Sequence, residues 1–348
     1  MTGSGALRAA RRVLAAAALL LALASATFWI DAAISYDPGQ YLLTSVQHAT
    51  AQQVHDANGL LGFDKPVLER YGQFLWDTAR GDLGISWSTA EVDSVGHVTG
   101  VPVTAIIGEA AGATGWIVLG GMLLVLLIVV PGGTLLAARA GSWADRTAIL
   151  LAVATLSTHP LVLGNVLGFA FGTDLKWLPK GGYCALLGSS PGAPLQGETC
   201  SGAVDWLTRL VLPWVTFALL VVALHLRQMR ASALTVLGER YVVVARAKGA
   251  SERRILLRHV LPNALPPVLT SLASDIGAML GVLLYIEVVF RIPGVGRLFL
   301  LAVQGEAGFD RPLIVGIVLL VGAAVIVGNL AADLVTGRLA RASGAGER

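Results

Sequence analysis

The residues able to do chemistry are few and scattered. Three acids fall inside apolar stretches: Asp275, Glu287 and Asp333. A carboxylate in the middle of a bilayer costs roughly 2.5–3.5 kcal/mol on insertion scales, so each must serve a pore, a proton path or a hydrogen bond within the bundle. His159 precedes a proline inside another apolar run, and His225 and His259 flank a basic segment. No histidine joins an H-E-x-x-H pattern, and no polar cluster marks a catalytic centre at a membrane face. We take His159, Asp275 and Glu287 as pore or gate candidates. ATP chemistry is excluded by the P-loop route, which requires Gly-Lys-Ser/Thr. The four lysines, Lys65, Lys176, Lys180 and Lys248, are followed by Pro, Trp, Gly and Gly. The two cysteines, Cys184 and Cys200, are too few for a Cys-rich zinc or iron–sulfur site. No cofactor or metal is therefore expected.

The elements that must position these residues are membrane spans. Over 348 residues, 55% are hydrophobic and 14% charged, with a mean hydropathy of +0.71. A soluble domain carries roughly 25% charge. The net charge of +3 says little by itself, and the basic residues lack the interleaved aromatics of a nucleic-acid surface. A basic tail, 1–12, leads into a first span at 13–34. Its start also reads as a secretory signal with Ala24-Ser25-Ala26 as the cleavage site, but the apolar run continues to Ile34, which favours a retained span. Residues 35–108 hold eight acids against three basic residues and contain no span, which suggests a small extracytoplasmic subdomain. Within it Asp64 is a candidate N-cap, with Pro66 in the first turn. An apolar stripe of Val67, Leu68, Tyr71, Phe74 and Leu75 follows, ended by Arg80-Gly81-Asp82.

Further spans are expected at 109–138, 147–172, 205–226, 269–290 and 313–335. The connecting segments are 139–146, 173–204, 227–268 and 291–312, with a basic tail at 336–348. Sixteen of the 25 Lys/Arg fall in the segments assigned to the cytoplasm, so both termini are placed there. Cys184 and Cys200 then share an external loop, where a disulfide and two independent thiols are both possible; the oxidising side favours the disulfide. The fold class is all-α, a polytopic membrane protein of six helices.

The 227–268 segment carries eight Lys/Arg against Glu239 and Glu252 and keeps helical periodicity. Residues 237–247 read as a surface helix, Gly249 as a tight reversal, and Ser251 as the cap of a second helix; Pro262, Pro266 and Pro267 should stop that helix.

This segment resembles the ATPase-docking loop of ABC importer permeases, whose pattern is Glu-Ala-Ala, three residues, Gly, nine residues, Ile, one residue, Leu-Pro. Ala245, Gly249 and Leu261-Pro262 match it, whereas Val243, Val244 and His259 stand where the pattern has Glu, Ala and Ile. Ala245-Arg246-Ala247-Lys248-Gly249 and Asn263-Ala264-Leu265 look like the dipeptide, oligopeptide and nickel subfamily. The same holds for Asp37-Pro38-Gly39, Arg80-Gly81-Asp82-Leu83-Gly84, Trp177-Leu178-Pro179 and Pro293-Gly294-Val295-Gly296-Arg297.

The resemblance implies the type I importer permease fold with a core near 95–340. It also implies half of a translocation pore, a second homologous permease, two cytoplasmic ATPase subunits and an external solute-binding protein. Tyr241, Val244, Ala245, Ala247, Gly249, Leu261 and Pro262 become the expected ATPase-docking residues. The subfamily admits di- or oligopeptides and nickel as cargo. An ion-coupled carrier using Asp275 and Glu287 is the alternative from outside the family.

Overall fold

The structure is a computed structural model that describes residues 3–34, 51–60, 62–92, 98–185, 198–304 and 309–342. Asp37-Pro38-Gly39 and the end of the C-terminal tail lie outside the described residues, as does the side chain of Asp333. The described chain is helical, with two short two-stranded pairings. Four helices are long and apolar enough to cross a membrane, or up to six spans if two bent pairs each count as one. The chain divides into two compact units: Met1–Ala113 with Leu187–Glu198 and Pro293–Ile326, and Thr114–Leu186 with Thr199–Ile292 and Val327–Arg348.

In the first unit, helix α1 (Gly3–Ala33) is followed by α2 (Ala51–Leu60) and α3 (Val67–Arg80). Helix α3 begins later than the sequence suggested: Pro66, not Asp64, occupies the N-cap, without a side-chain cap bond. Its end is as expected. Gly81 adopts φ +81°, and the Gly81 and Asp82 N–H groups bond back to the Thr78 and Asp77 carbonyls. Strands β1 (Glu91–Val92) and β2 (Val98–Thr99) pair antiparallel ahead of α4 (Val103–Ala138), a helix that continues into the second unit.

The core of the first unit joins Val103, Ile107, Leu298, Ala302, Leu313 and Ile317. Asp310 is 1% exposed. It accepts hydrogen bonds from the Ser86 hydroxyl, the Ser88 N–H and the Leu313 N–H, so it ties the 86–88 turn to the start of the C-terminal helix. Arg311 pairs with Asp31 (3.2 Å) and donates to the Asp31 and Ile34 carbonyls, satisfying acceptors at the end of α1.

In the second unit, α5 (Trp143–Leu156) breaks before α6 (Pro160–Leu167), whose last turn passes into a π segment (Gly168–Asp174). The two arms meet at 109°, so the apolar run at 147–172 is not one straight span. Pro160 brings no N–H, and the Thr155, Ser157 and Thr158 hydroxyls donate to the carbonyls of Ala152, Val153 and Ala154. These bonds satisfy backbone acceptors that lipid could not. Cys184 (strand β3, Cys184–Ala185) is disulfide-bonded to Cys200, just after strand β4 (Glu198–Thr199), with a Cα–Cα distance of 5.0 Å.

Helix α7 (Ala203–Leu237) packs on the second-unit part of α4. Glycines set the approach. A Cβ on Gly121 would lie 2.5 Å from Phe217, and one on Gly133 would lie 2.6 Å from the Met229 Cβ and 3.1 Å from the Arg230 backbone N. Pro131 lies inside α4. Gly133→Val should destabilise the permease by about 1–3 kcal/mol, because backbone cannot yield to the added side chain. Thermal unfolding in detergent would measure this, and an unchanged midpoint would contradict the close packing.

Candidate docking and coupling site

The sequence placed a span at 205–226 and a surface helix from 237. The structure instead runs α7 through to Leu237. Residues 227–237 contain neither Gly nor Pro, and Met229 and Ala233 are fully buried, so nothing ends the helix before Gly238. Helix α8 (Arg240–Ala247) follows. Gly249 then reverses the chain at φ +82°, a conformation that any Cβ would strain. The space around it is open, so the demand is on the backbone alone.

Ser251 occupies the N-cap of α9 (Glu252–Ile255), but its side chain makes no cap bond. The turn is closed instead by Arg246, whose Nε and Nη2 donate to both Glu252 carboxylate oxygens at 2.6 and 3.1 Å. This bond holds the Glu252 carboxyl below its ordinary value of 4.5 and raises the Arg246 guanidinium.

The prolines do not stop the second helix. Helix α9 passes through a π segment (Leu256–Val260) into α10 (Leu261–Ser274). Pro262 sits in the first turn of α10, and Pro266 and Pro267 lie within it. The wider π turn is a local adjustment of the kind that accommodates residues lacking an N–H. The Asn263 side chain donates to the His259 carbonyl (2.7 Å), and the Gln228 side chain donates to the Pro267 carbonyl (3.2 Å).

Helix α7 is the post on which this segment is mounted. Gln228 holds α10, and Arg230 grips Asp145 at the start of α5 through two hydrogen bonds of 2.5 and 2.7 Å. The Asp145 side chain is 3% exposed and also accepts from the Gly141 N–H. It sits three residues after Ser142, which caps α5 by accepting from the Asp145 N–H. Sequence reading counted Arg230 only as part of the charge excess and passed over Asp145. A Ser-x-x-Asp capping pattern beside a short loop was the available signal.

The surface of the segment is divided. Val242, Ile255 and Val260 are completely buried beneath it. Tyr241 (44% exposed), Val243, Val244 and Leu257 point outward, with Arg240, Arg246, Lys248, Arg253, Arg254 and Arg258 exposed around them. Of the expected docking residues, Tyr241, Val244, Ala247, Gly249 and Pro262 are exposed, while Ala245 and Leu261 are half-buried. Burial raises the Tyr241 hydroxyl above its ordinary value, and the phenol oxygen accepts from the Asn263 side chain (3.3 Å), joining α8 to α10.

The pore candidates each have their own neighbours. His159 is exposed at the α5–α6 break, where its Nδ1 accepts from the Leu161 N–H and its ring meets Tyr285 edge-on at 4.9 Å. Asp275 stands at the joint between α10 and α11 (Ile276–Val289), which meet at 65°. Its carboxylate lies 3.3 Å from the Nε2 of buried His225, a partner that sequence reading left unassigned. Glu287 is completely buried, and it accepts a hydrogen bond from the Thr114 hydroxyl at 2.6 Å. Just beyond it Arg291 takes φ +53°, an unusual conformation for a side-chain-bearing residue. The Gly182 N–H bonds to the Phe290 carbonyl there, and a Cβ on Gly181 would approach that same oxygen to 2.8 Å.

A bundle of apolar helices with one exposed, positively rimmed amphipathic reversal has the build of a polytopic permease. The family model for the binding-protein-dependent transport system inner membrane component matches residues 129–343. The chain belongs to that family, and it is a multi-pass membrane transport permease rather than an enzyme. It is 32% identical over 324 residues to a peptide permease protein of Brucella ovis, covering 93% of this chain and 94% of the relative. It is 33% identical over 298 residues to the glutathione transport system permease protein GsiC of Pectobacterium atrosepticum, covering 86% of each. It is 30% identical over 287 residues to the dipeptide transport system permease protein DppB of Escherichia coli K12, covering 80% of this chain and 81% of the relative. Family membership sets aside the ion-coupled carrier built on Asp275 and Glu287. Asp275 lies beside the His225 ring, and Glu287 accepts from the Thr114 hydroxyl.

Arg230→Met should cost about 3–5 kcal/mol, because it leaves the Asp145 carboxylate buried without its counter-charge, with the Gly141 N–H still donating to it, whereas Asp145→Leu with Arg230→Met should recover most of that loss. Thermal unfolding of the three variants measures the difference. The Arg246–Glu252 clasp should be pH-dependent in one direction. The Glu252 carboxyl is depressed in the folded state, so the clasp contributes above the ordinary carboxylate value and is lost as pH falls through the depressed one. Amide exchange at residues 246–252, corrected for intrinsic rates, should rise on acidification and already be raised at neutral pH in Glu252→Gln.

Proposed function

We propose that this chain is one of two homologous permease subunits of an ATP-driven peptide importer and forms half of its translocation pore. The exposed apolar face of α8, with Tyr241 and Val244 outward and Val242 locked beneath, carries this reading. Such a face fits the helix-in-groove mode of recognition. Two cytoplasmic ATPase subunits would bind, one to this chain and one to its partner permease. A groove receiving Tyr241, Val244 and Ala245 would be acidic at its rim to meet the surrounding arginines.

In this arrangement both termini, 139–146 and 227–268 are cytoplasmic, and 35–108, 173–204 and 291–312 face the external solute-binding protein that delivers cargo. The Cys184–Cys200 bridge suits that oxidising side. Movement of the docked ATPases would reach the spans without unpairing backbone, because α8, α9 and α10 are joined to α7 by side-chain bonds and packing. ATP hydrolysis belongs to the separate subunits, consistent with the missing Gly-Lys-Ser/Thr.

Peptides are the cargo supported by the relatives, whose names specify peptide, glutathione and dipeptide transport. For nickel, the chain offers little to hold the ion. Among the described residues one His/Cys/Asp/Glu group has ligand spacing, and two of its three members are the bridged cysteines.

Tyr241→Asp with Val244→Asp, and separately Gly249→Asp, should each lower ATPase co-purification and peptide uptake by at least about tenfold, equivalent to 1.4 kcal/mol of binding, while the permease still inserts. Normal ATPase assembly and uptake in both variants would overturn the docking assignment.

A further inference from the structure

Helix α3 has three faces. Tyr71 and Phe74 pack on α1: their rings lie 5.2 and 5.3 Å from Phe28, and the Tyr71 hydroxyl is 2.7 Å from Ser25 Oγ. Arg70, Gln73 and Asp77 line a cavity of about 700 Å³ that also receives Asp31 and Arg311. The third face carries Leu68 (72% exposed) and Trp76 (59% exposed), one turn either side of Gly72, where an added Cβ would meet nothing within 4 Å.

The contact with Ser25 fixes the depth of the helix. Ser25 lies eight residues before Ala33, the last residue of α1, hence about 12 Å along the helix axis at 1.5 Å per residue. The apolar span Arg11–Ala33 has 23 residues, about 34 Å, against a hydrocarbon thickness of about 30 Å. Ser25 is therefore inside the hydrocarbon, and Trp29 is close to its boundary. A helix whose Tyr71 touches both is at or below the headgroup level.

We infer that α3 is an in-plane membrane helix, with Leu68 and Trp76 seated in the acyl chains of the leaflet at the Ala33 end of α1. Exposed apolar side chains also lie at this end of α1, at Trp29 (48%) and Ile30 (65%), with Ile34 (56%) just beyond it. The polar face of α3 is turned toward the charged cavity, as an interfacial helix requires. The Arg80 guanidinium lies 4.2 Å above the Trp76 ring, an arrangement in which the indole enters the acyl boundary and the cation stays at the headgroups. A soluble protein would have to reach below the headgroups to cover this face. The segment between the first two spans is thus anchored to lipid along one edge, independently of the docking role of the 227–268 segment.

The test uses the disulfide. Both native cysteines are bridged, so a single added cysteine is the one reactive thiol. Leu68→Cys, Trp76→Cys, Gln73→Cys and Asp77→Cys in the full-length permease would each be nitroxide-labelled and reconstituted in phosphatidylcholine/phosphatidylglycerol vesicles. Power saturation then compares relaxation by oxygen, which enriches in acyl chains, with relaxation by a water-soluble nickel chelate. The expected result is oxygen dominance at 68 and 76 and chelate dominance at 73 and 77. Chelate dominance at all four, or shielding of 68 and 76 that arises only on adding the solute-binding protein, would overturn the proposal.

Discussion

In lipid a backbone N–H or C=O must find its partner within the protein, and that constraint governs this fold. Spans may therefore bend only where side chains take over the freed groups. The α5–α6 break is lined by threonine and serine hydroxyls bonded to their own helix, with His159 capping the next one. The proline-rich start of α10 follows a π segment, and the Asn263 and Gln228 side chains add bonds to the His259 and Pro267 carbonyls around it. The exposed reversal at Gly249 is built from short helices for the same reason: helices pair their own backbone while shifting as bodies.

Helix α7 links these solutions. It reaches α10 through His225 near Asp275 and through Gln228, and it reaches α5 through Arg230 on Asp145. The glycines of α4 admit its bulky side chains at close range. A load applied to α8 would thus be shared between two spans from one post. The Asp145–Arg230 pair joins one turn of α7 to the first turn of α5, and a shifted register would strand the buried Asp145 charge. In the first unit Arg311 plays a comparable part, closing the end of α1 with an ion pair and two carbonyl contacts.

The sequence by itself determined the class of protein. Long apolar runs, depleted charge and the lack of Gly-Lys-Ser/Thr are properties of composition and local order, and they need no fold to be read. Gly249, Ala245 and Leu261-Pro262 carried the family resemblance because spacing within one reversal is local. Gly81 as the end of α3 was legible for a similar reason, since a left-handed C-cap depends on one residue.

Tertiary structure alone decided the rest. Proline was read as a stop at 262–267, but the helix runs on through a π segment into α10, and α7, distant in sequence, braces it there: Gln228 donates to the Pro267 carbonyl from 39 residues away. No neighbour of His225 was legible, because Asp275 is 50 positions downstream and comes near it only when α7 packs on the α10–α11 joint. Glu287 was legible as an acid within a span, but only packing decided that it is buried and hydrogen-bonded by Thr114. The apolar stripe of α3 was visible as a pattern, but its division between α1 and a free edge could not be. Periodicity reports that a face is apolar, and only packing decides what covers it.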